Sequence, residues 1–183
     1  RGSVKAVSFL QLRRRHVLLL IRWNPTISHD SLKFLKSVIK NHFLIVVKES
    51  SMTPTLDDGD ILLVRAVLKP VARGTVVIAD VPGLESNIQV ERLVGLPCDR
   101  IVFEDSMLFI NGAIHSEPYL SGLPHTVGLE RMEWNLGSNE YFLLGDNRSR
   151  SVDSRRYGPV QVEAILAHAR WRLWPFKRGF RLE

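Results

Sequence analysis

The stretch Arg100-Ile101-Val102-Phe103-Glu104-Asp105-Ser106-Met107-Leu108-Phe109-Ile110-Asn111-Gly112 decides how the chain is read. Two short apolar runs, 100–103 and 107–110, flank the polar triplet Glu104-Asp105-Ser106, and Asn111-Gly112 follows as the next turn signal. Runs this short have the length of strands. Asn and Gly tolerate the positive φ that tight hairpin turns require. The same grammar extends outward in both directions. Apolar runs at 43–47, 61–67, 75–79, 88–94, 141–144 and 165–173 are separated by Asp57-Asp58-Gly59-Asp60, Arg73-Gly74, Gly95-Leu96-Pro97, Gly145-Asp146-Asn147 and Trp174-Pro175. Many short strands with few helical stretches predict a mainly β fold, an antiparallel β-barrel or sandwich. The segment 98–139 has its own turns and strands and reads as an inserted small β subdomain. The core is then 43–97 together with 140–176, and 177–183 is a C-terminal tail.

Composition bounds the rest. The chain has 183 residues, 45% hydrophobic and 24% charged, which suits one globular domain with a small insert and excludes wholesale disorder. The single cysteine, Cys98, excludes an internal disulfide framework and a cysteine-rich zinc site. No metal or cofactor is expected.

The net charge is +6, and its placement matters more than its size. Residues 1–29 carry Arg1, Lys5, Arg13, Arg14, Arg15 and Arg22 and no acid, so the body is formally neutral. This argues against a basic nucleic-acid-binding body and for an N-terminal arm that meets an anionic surface or acts as an address. Residues 1–29 read as a poorly ordered arm, and a helix is expected from Asp30. Leu32, Leu35, Ile39 and Phe43 share one face of that helix, with Lys33, Lys36 and Lys40 on the other. Residues 1–42 thus form a basic arm and amphipathic helix, suited either to a membrane interface or to packing on the domain. No apolar stretch is long enough to span a bilayer.

Three loops at strand ends gather the side chains able to do chemistry. In Ser50-Ser51-Met52-Thr53-Pro54-Thr55-Leu56, a serine at a strand end precedes a proline-restrained turn. That arrangement exposes a hydroxyl on a held backbone, although serine-rich turns are also common without function. Gly145-Asp146-Asn147-Arg148, continuing through Ser151, Asp153, Ser154 and Arg155, packs donors and acceptors closely; by itself it also reads as a solvated loop with Asx turns. Along Gln89-Val90-Glu91-Arg92-Leu93-Val94, the residues Gln89, Glu91 and Leu93 share one strand face, and Val90, Arg92 and Val94 the other.

Taken together and in this order, the loops resemble the type I signal peptidases, serine proteases of the Ser/Lys-dyad class that include bacterial leader peptidases and mitochondrial inner-membrane proteases. Ser51-Met52-Thr53-Pro54-Thr55 matches the family's Ser-Met-x-Pro-Thr. Gly145-Asp146-Asn147-Arg148 and Ser151-Val152-Asp153-Ser154-Arg155 match its Gly-Asp-Asn-Arg and Ser-x-Asp-Ser-Arg. Arg73-Gly74-Thr75 stands where the family has Arg-Gly-Asp. Glu91-Arg92-Leu93-Val94-Gly95-Leu96-Pro97-Cys98-Asp99 stands where it has Lys-Arg-x-x-Gly-Leu-Pro-Gly-Asp. Leu108-Phe109-Ile110-Asn111-Gly112, with Glu117-Pro118-Tyr119, looks like the hairpin of the family's inserted domain. Tyr157-Gly158-Pro159-Val160 and Trp174-Pro175 complete the pattern over residues 43–176.

The resemblance implies a serine endopeptidase that removes N-terminal signal peptides from exported preproteins, cutting after a small residue with another small residue two positions earlier. Ser51 would be the nucleophile, its backbone N–H would hold the oxyanion, and Ser151 would orient the general base. Asp153, Arg155, Asp146 and Arg92 would brace the site, and Ser50, Met52 and Pro54 would line the substrate groove. The partners implied are preproteins and, through the N-terminal region, a membrane surface; no nucleic acid is expected. The implied location is the far side of the bacterial cytoplasmic membrane, or alternatively an organelle inner membrane.

One departure is large. The family's general base is the lysine of its Lys-Arg pair, and here that position is Glu91. An ordinary glutamate ionises near pH 4.3 and is a poor base at neutrality, whereas burial raises its proton affinity. Little or no ordinary cleavage is therefore expected. Three readings stay open: an inactive homologue or inactivated variant that binds preproteins or serves assembly, use of Glu91 as base, or use of an unmatched lysine such as Lys48 or Lys69. A smaller departure is Cys98 in place of the glycine of Leu-Pro-Gly-Asp, which matters if the position needs positive φ.

Overall fold

The computed structural model describes residues 8–10, 42–67, 70–84, 86–120 and 131–175. The strands run in chain order as β1 (Ser8–Leu10), β2 (His42–Val46), β3 (Ile61–Ala66), β4 (Val76–Asp80), β5 (Ile88–Gly95), β6 (Arg100–Glu104), β7 (Met107–Ile110), β8 (Ala113–Ile114), β9 (Met132–Asn135), β10 (Glu140–Leu144), β11 (Val160–Gln161) and β12 (Ile165–Trp174). One short helix, α1 (Ser154–Tyr157), lies between β10 and β11. Every strand expected from the apolar runs is present, with its ends within one residue. The short strands β1, β8, β9 and β11 were not expected, because two to four residues carry too little pattern to stand out from a loop.

The strands form two antiparallel sheets. The larger has the order β1-β2-β3-β12-β4-β5-β10-β11 and curls into a half-barrel; the smaller, β8-β7-β6-β9, is built entirely from residues 100–135. The expectation for residues 1–29 needs correction at one place. Residues 8–10 are a strand rather than arm, paired antiparallel with β2 through Ser8 opposite Val46 and Leu10 opposite Leu44. The unpaired outer edge of β2 offers backbone donors and acceptors that any extended segment satisfies. The amphipathic helix expected from Asp30 lies outside the described residues, as does Lys69.

Strand β5 is the pivot of the packing. Val90 belongs to one apolar cluster with Ile45, Met52, Leu56, Leu62, Val64 and Ile78. Leu93 belongs to a second with Val77, Ala79, Tyr141, Leu143 and Ile165. Val94 belongs to a third, under the small sheet, with Ile101, Phe103, Leu108, Phe142 and Leu144. Both faces of β5 are therefore covered, and Glu91 and Arg92 are carried into the interior with them. Gly95 ends the strand in a tightly packed spot; a Cβ there would lie 2.6 Å from Phe142 Cβ and 2.7 Å from Leu136 Cδ1. Cys98, in the turn that follows, has φ 67°, the left-handed conformation for which a glycine is the unstrained choice.

Candidate active site

The Ser51 loop leaves β2 and is pinned from below. Met52 and Leu56 are fully buried in the first cluster, and the Leu56 amide donates to the Met52 carbonyl at 2.9 Å. Met52 is thus a core side chain and not a lining of the groove, which corrects the expectation. Its apolar chain gains more from burial beside Ile45 and Leu62 than from exposure on the loop. Pro54, joined to Thr53 by a cis peptide bond, is exposed; Ser50 and Ser51 are half-buried.

The loop after β10 comes against this turn. The Asn147 amide donates to the Ser51 carbonyl at 2.8 Å, and the Asn147 side-chain amide donates to the Ser50 carbonyl at 3.0 Å. Gly145 lies at the point of contact. A Cβ placed on it would be 2.3 Å from Ser151 Cβ, 2.7 Å from Ser151 Oγ and 2.8 Å from the Ser51 carbonyl oxygen. Only a residue without a side chain allows Ser51 and Ser151 to share this space.

Asp153 organises the Ser151 side. It is fully buried and caps α1, accepting the Arg155 amide at 3.1 Å. Its carboxylate also accepts the Arg155 guanidinium at 2.8 and 2.7 Å and the Gly145 amide at 3.1 Å. The Ser151 hydroxyl donates to Asp153 Oδ2 and accepts Arg155 Nη2 at 2.9 Å. The expected orientation of the base by Ser151 is therefore not formed. A hydroxyl has one hydrogen to give, and the neighbouring Asp153 carboxyl takes it, while neither Glu91 oxygen has a partner.

Arg92 and Asp146 make a buried, two-pronged ion pair, with Arg92 Nε donating to Oδ1 at 2.7 Å and Nη2 to Oδ2 at 2.6 Å. Thr55 Oγ1 joins the same carboxylate at 2.5 Å, and Arg92 Nη1 reaches the Gly74 carbonyl at 2.6 Å. The strand bearing Arg92, the Ser51 loop and the Gly145 loop are thereby tied into one unit.

Glu91 projects from β5 on the opposite side from Arg92. It is fully buried, and neither carboxyl oxygen has a hydrogen-bond partner. Burial raises its pKa well above the ordinary 4.5. The charges of Asp153 and Asp146 push the same way, and those of Arg155 and Arg148 oppose them. The Tyr157 hydroxyl is also driven to higher pKa by burial and then by Glu91 and Asp153, so this phenol stays protonated. Lys48, the one lysine among the described residues, is exposed at the end of β2.

Several participants carried no assigned role in the sequence reading: Gly145, Asn147, Thr55, Arg148 and Glu117. Gly145, Asn147 and Arg148 sit inside the matched Gly-Asp-Asn-Arg motif, which was the available signal. Glu117 and Tyr119 were read as part of a hairpin. They instead lie just before and within a short 3-10 turn, Pro118–Leu120, beyond the β7–β8 hairpin.

The fold and site define a class: a β-fold protein presenting a serine turn against a polar, arginine-braced loop. Comparison with known proteins narrows it. The family described as signal peptidase, peptidase S26, matches residues 31–174. A signal peptidase I of Bacillus caldolyticus is 33% identical over 147 residues, covering 73% of this chain and 80% of its own length. One from Bacillus licheniformis is 38% identical over 144 residues, covering 72% and 76%. A solved signal peptidase I from Enterococcus faecalis is 28% identical, covering 54% of this chain and 96% of that one, with a TM-score of 0.48. The chain belongs to the signal peptidase family S26, the endopeptidases that remove signal peptides from preproteins. Signal peptidase I homologues are membrane-associated; among the described residues no helix is long and apolar enough to cross a membrane.

Proposed function

We propose that this chain cleaves signal peptides with Ser51 as nucleophile and the ionised carboxylate of Glu91 as the group that takes its proton. The observation that carries the reading is the state of Glu91: it stands at the family's base position, is wholly buried, and has two unpartnered carboxyl oxygens. A carboxylate whose proton affinity is raised by burial is a stronger base than a solvated one, and its oxygens here are free to accept.

Ser51 Oγ attacks the scissile carbonyl carbon while its proton passes to Glu91. The developing oxyanion takes the Ser51 backbone N–H. Collapse breaks the C–N bond, and Glu91 returns the proton to the departing amine, the new N-terminus of the mature protein. Water then adds to the Ser51 ester, again losing a proton to Glu91. The signal peptide leaves as a carboxylic acid, and Ser51 regains its hydrogen.

Because only ionised Glu91 serves and burial disfavours that form, the reaction accelerates as pH rises and Glu91 ionises. This keeps the expectation of little ordinary cleavage while retaining the chemistry. Residues 98–139 are the insert in a core of 43–97 and 140–176. The basic segment 1–42 meets an anionic membrane surface, and the reaction lies on the far side of the bacterial cytoplasmic membrane. The bacterial relatives and the acid-free arm support that location.

The test is the initial rate of cleavage of a peptide with small residues at the cut site and two positions before it, followed across pH for wild type, Ser51→Ala and Glu91→Gln. The expected result is a wild-type rate that climbs about tenfold per pH unit below its plateau, with both variants inert. Full activity in Ser51→Ala, or the same pH profile in Glu91→Gln, would overturn the assignment.

A further inference from the structure

Two of the arginines that flank the site, Arg148 and Arg92, are held from the same short segment. Glu117 and Arg148 form an ion pair in which each side chain is 2% exposed. Arg148 Nη2 donates to Glu117 Oε1 and Nη1 donates to Oε2 at 3.1 Å, a fork-to-fork geometry. The third donor of that guanidinium, Nε, reaches the Gly145 carbonyl at 3.0 Å, and the Arg148 carbonyl accepts Arg155 Nη2 at 2.7 Å. The Tyr119 hydroxyl donates to Glu117 Oε1 at 2.7 Å, and the Tyr119 ring lies under Arg92, whose Cζ is 3.9 Å from the ring centroid. Neither Glu117 nor Tyr119 belongs to the half-barrel.

We propose that Glu117 is a positioning residue for the cleavage reaction, holding Arg148 directly and Arg92 through Tyr119 against the loop that carries Ser151. Glu117 acts in two ways. It fixes the Gly145 carbonyl through Arg148, and so the turn on which Ser51 and Ser151 meet. It also neutralises the Arg148 charge, which otherwise acts undiminished on Glu91. The groups facing Glu91 are Asp146 and Arg148 from one loop and Asp153, Arg155 and Tyr157 from the segment capped by Asp153. Arg148 is the one whose field Glu117 controls. This inference rests on the reading of Ser51 and Glu91 as the reacting pair.

The experiment uses the full chain with Glu117→Gln, Glu117→Asp and Tyr119→Phe, and with Glu133→Gln as control. Glu133 pairs with Arg100 at the exposed face of the small sheet. Peptide cleavage gives kcat and KM, and a carboxyl-labelled glutamate NMR titration reads Glu91, its signal assigned by its loss in Glu91→Gln. On the high-pH plateau, where Glu91 is ionised in every variant, Glu117→Gln is expected to lower kcat about tenfold with KM within about twofold, and its Glu91 titration is expected about one pH unit lower as Arg148 is unmasked. Glu117→Asp keeps the charge and restores the titration, though not the whole rate. Glu133→Gln changes neither.

An unchanged kcat together with an unmoved Glu91 titration in folded Glu117→Gln overturns the proposal. If that variant does not fold, Tyr119→Phe, which deletes only one donor to Glu117, decides: a drop in kcat of about threefold supports the role and none overturns it. Should wild type prove inert, the pairing of Ser51 with Glu91 fails on the activity arm, while the titration arm still judges Glu117.

Discussion

The carbonyl of Ser51 accepts the backbone amide of Asn147 at 2.8 Å, so the turn bearing the serine is fastened by main chain to the loop bearing Ser151. Backbone-to-backbone attachment survives side-chain replacement, and the weak point is therefore where the two backbones come closest. That point is Gly145. An alanine Cβ there meets Ser151 Cβ at 2.3 Å and the Ser51 carbonyl at 2.8 Å, distances that no rotamer change relieves.

Gly145→Ala is accordingly expected to separate the two loops. The cost in stability is about 1–3 kcal/mol, the range for overpacking a filled site, while cleavage falls by more than that loss of folded protein explains. Denaturant unfolding and peptide cleavage on the same preparation check this. Wild-type activity in the variant would mean that the Ser51–Ser151 approach does not matter.

Glu91 makes stability depend on pH in a definite direction. Its folded pKa is raised by burial, Asp153 and Asp146, so the folded state holds a proton that the unfolded chain releases. The contribution of that neutral carboxyl is fully present below the ordinary value of 4.5 and is lost as pH rises through the raised folded value. Between the two, wild type loses about 1.4 kcal/mol per pH unit relative to Glu91→Gln. Unfolding free energies of the two proteins, measured from acid to alkaline pH, should diverge steadily in favour of the glutamine variant. Parallel curves would show Glu91 ionising as it does in the unfolded chain.

The sequence made much of this legible, for identifiable reasons. Strands such as β5 and β12 are bounded by Gly, Pro and Asn turns, and their apolar runs must be buried somewhere. The loops carrying Ser51 and Ser151 were visible as dense polar clusters in a recognisable order. Met52 was misjudged because a motif position next to a nucleophile says nothing about which way its side chain falls. That is settled by the apolar cluster beneath, to which Ile45 and Leu62 belong. The Glu117–Arg148 pair was hidden because the partners are 31 residues apart and no local pattern marks two side chains that meet only after the small sheet has folded back.

Cys98 carries local strain. Its φ of 67° places a Cβ in the left-handed region, which costs a residue other than glycine about 1–2 kcal/mol. Its side chain is exposed, so little packing offsets that cost. Cys98→Gly is expected to stabilise the protein by about 1 kcal/mol, less the greater freedom that glycine brings to the unfolded chain. Catalytic rate should be unchanged. The midpoint of urea unfolding is the measurement, and a lower midpoint would mean that the turn relaxes around the cysteine without strain.

The sharpest test of the site is the exchange of its base. In Glu91→Lys, the buried position that suppresses ionisation of a carboxyl also suppresses protonation of an amine. The same desolvation that raises the one pKa lowers the other. Asp153 and Asp146 act against this by favouring the ammonium, while Arg155 and Arg148 act with it, as their effects on Glu91 indicate. Arg92 cannot substitute, because its guanidinium is engaged by Asp146 on the opposite face of the strand. A neutral amine takes the Ser51 proton without first having to be ionised at the cost of a buried negative charge. Glu91→Lys should therefore cleave at neutral pH at least about tenfold faster than wild type, and the gain should vanish when Ser51→Ala is added. Wild type should close the gap only as pH rises and Glu91 ionises. If wild type equals Glu91→Lys at neutrality while Glu91→Ala is dead, the glutamate is already ionised and the burial argument is wrong. If Glu91→Lys is folded but inert at every pH, the groove binds preproteins without cutting them, and the cleavage assigned to Ser51 has to be withdrawn.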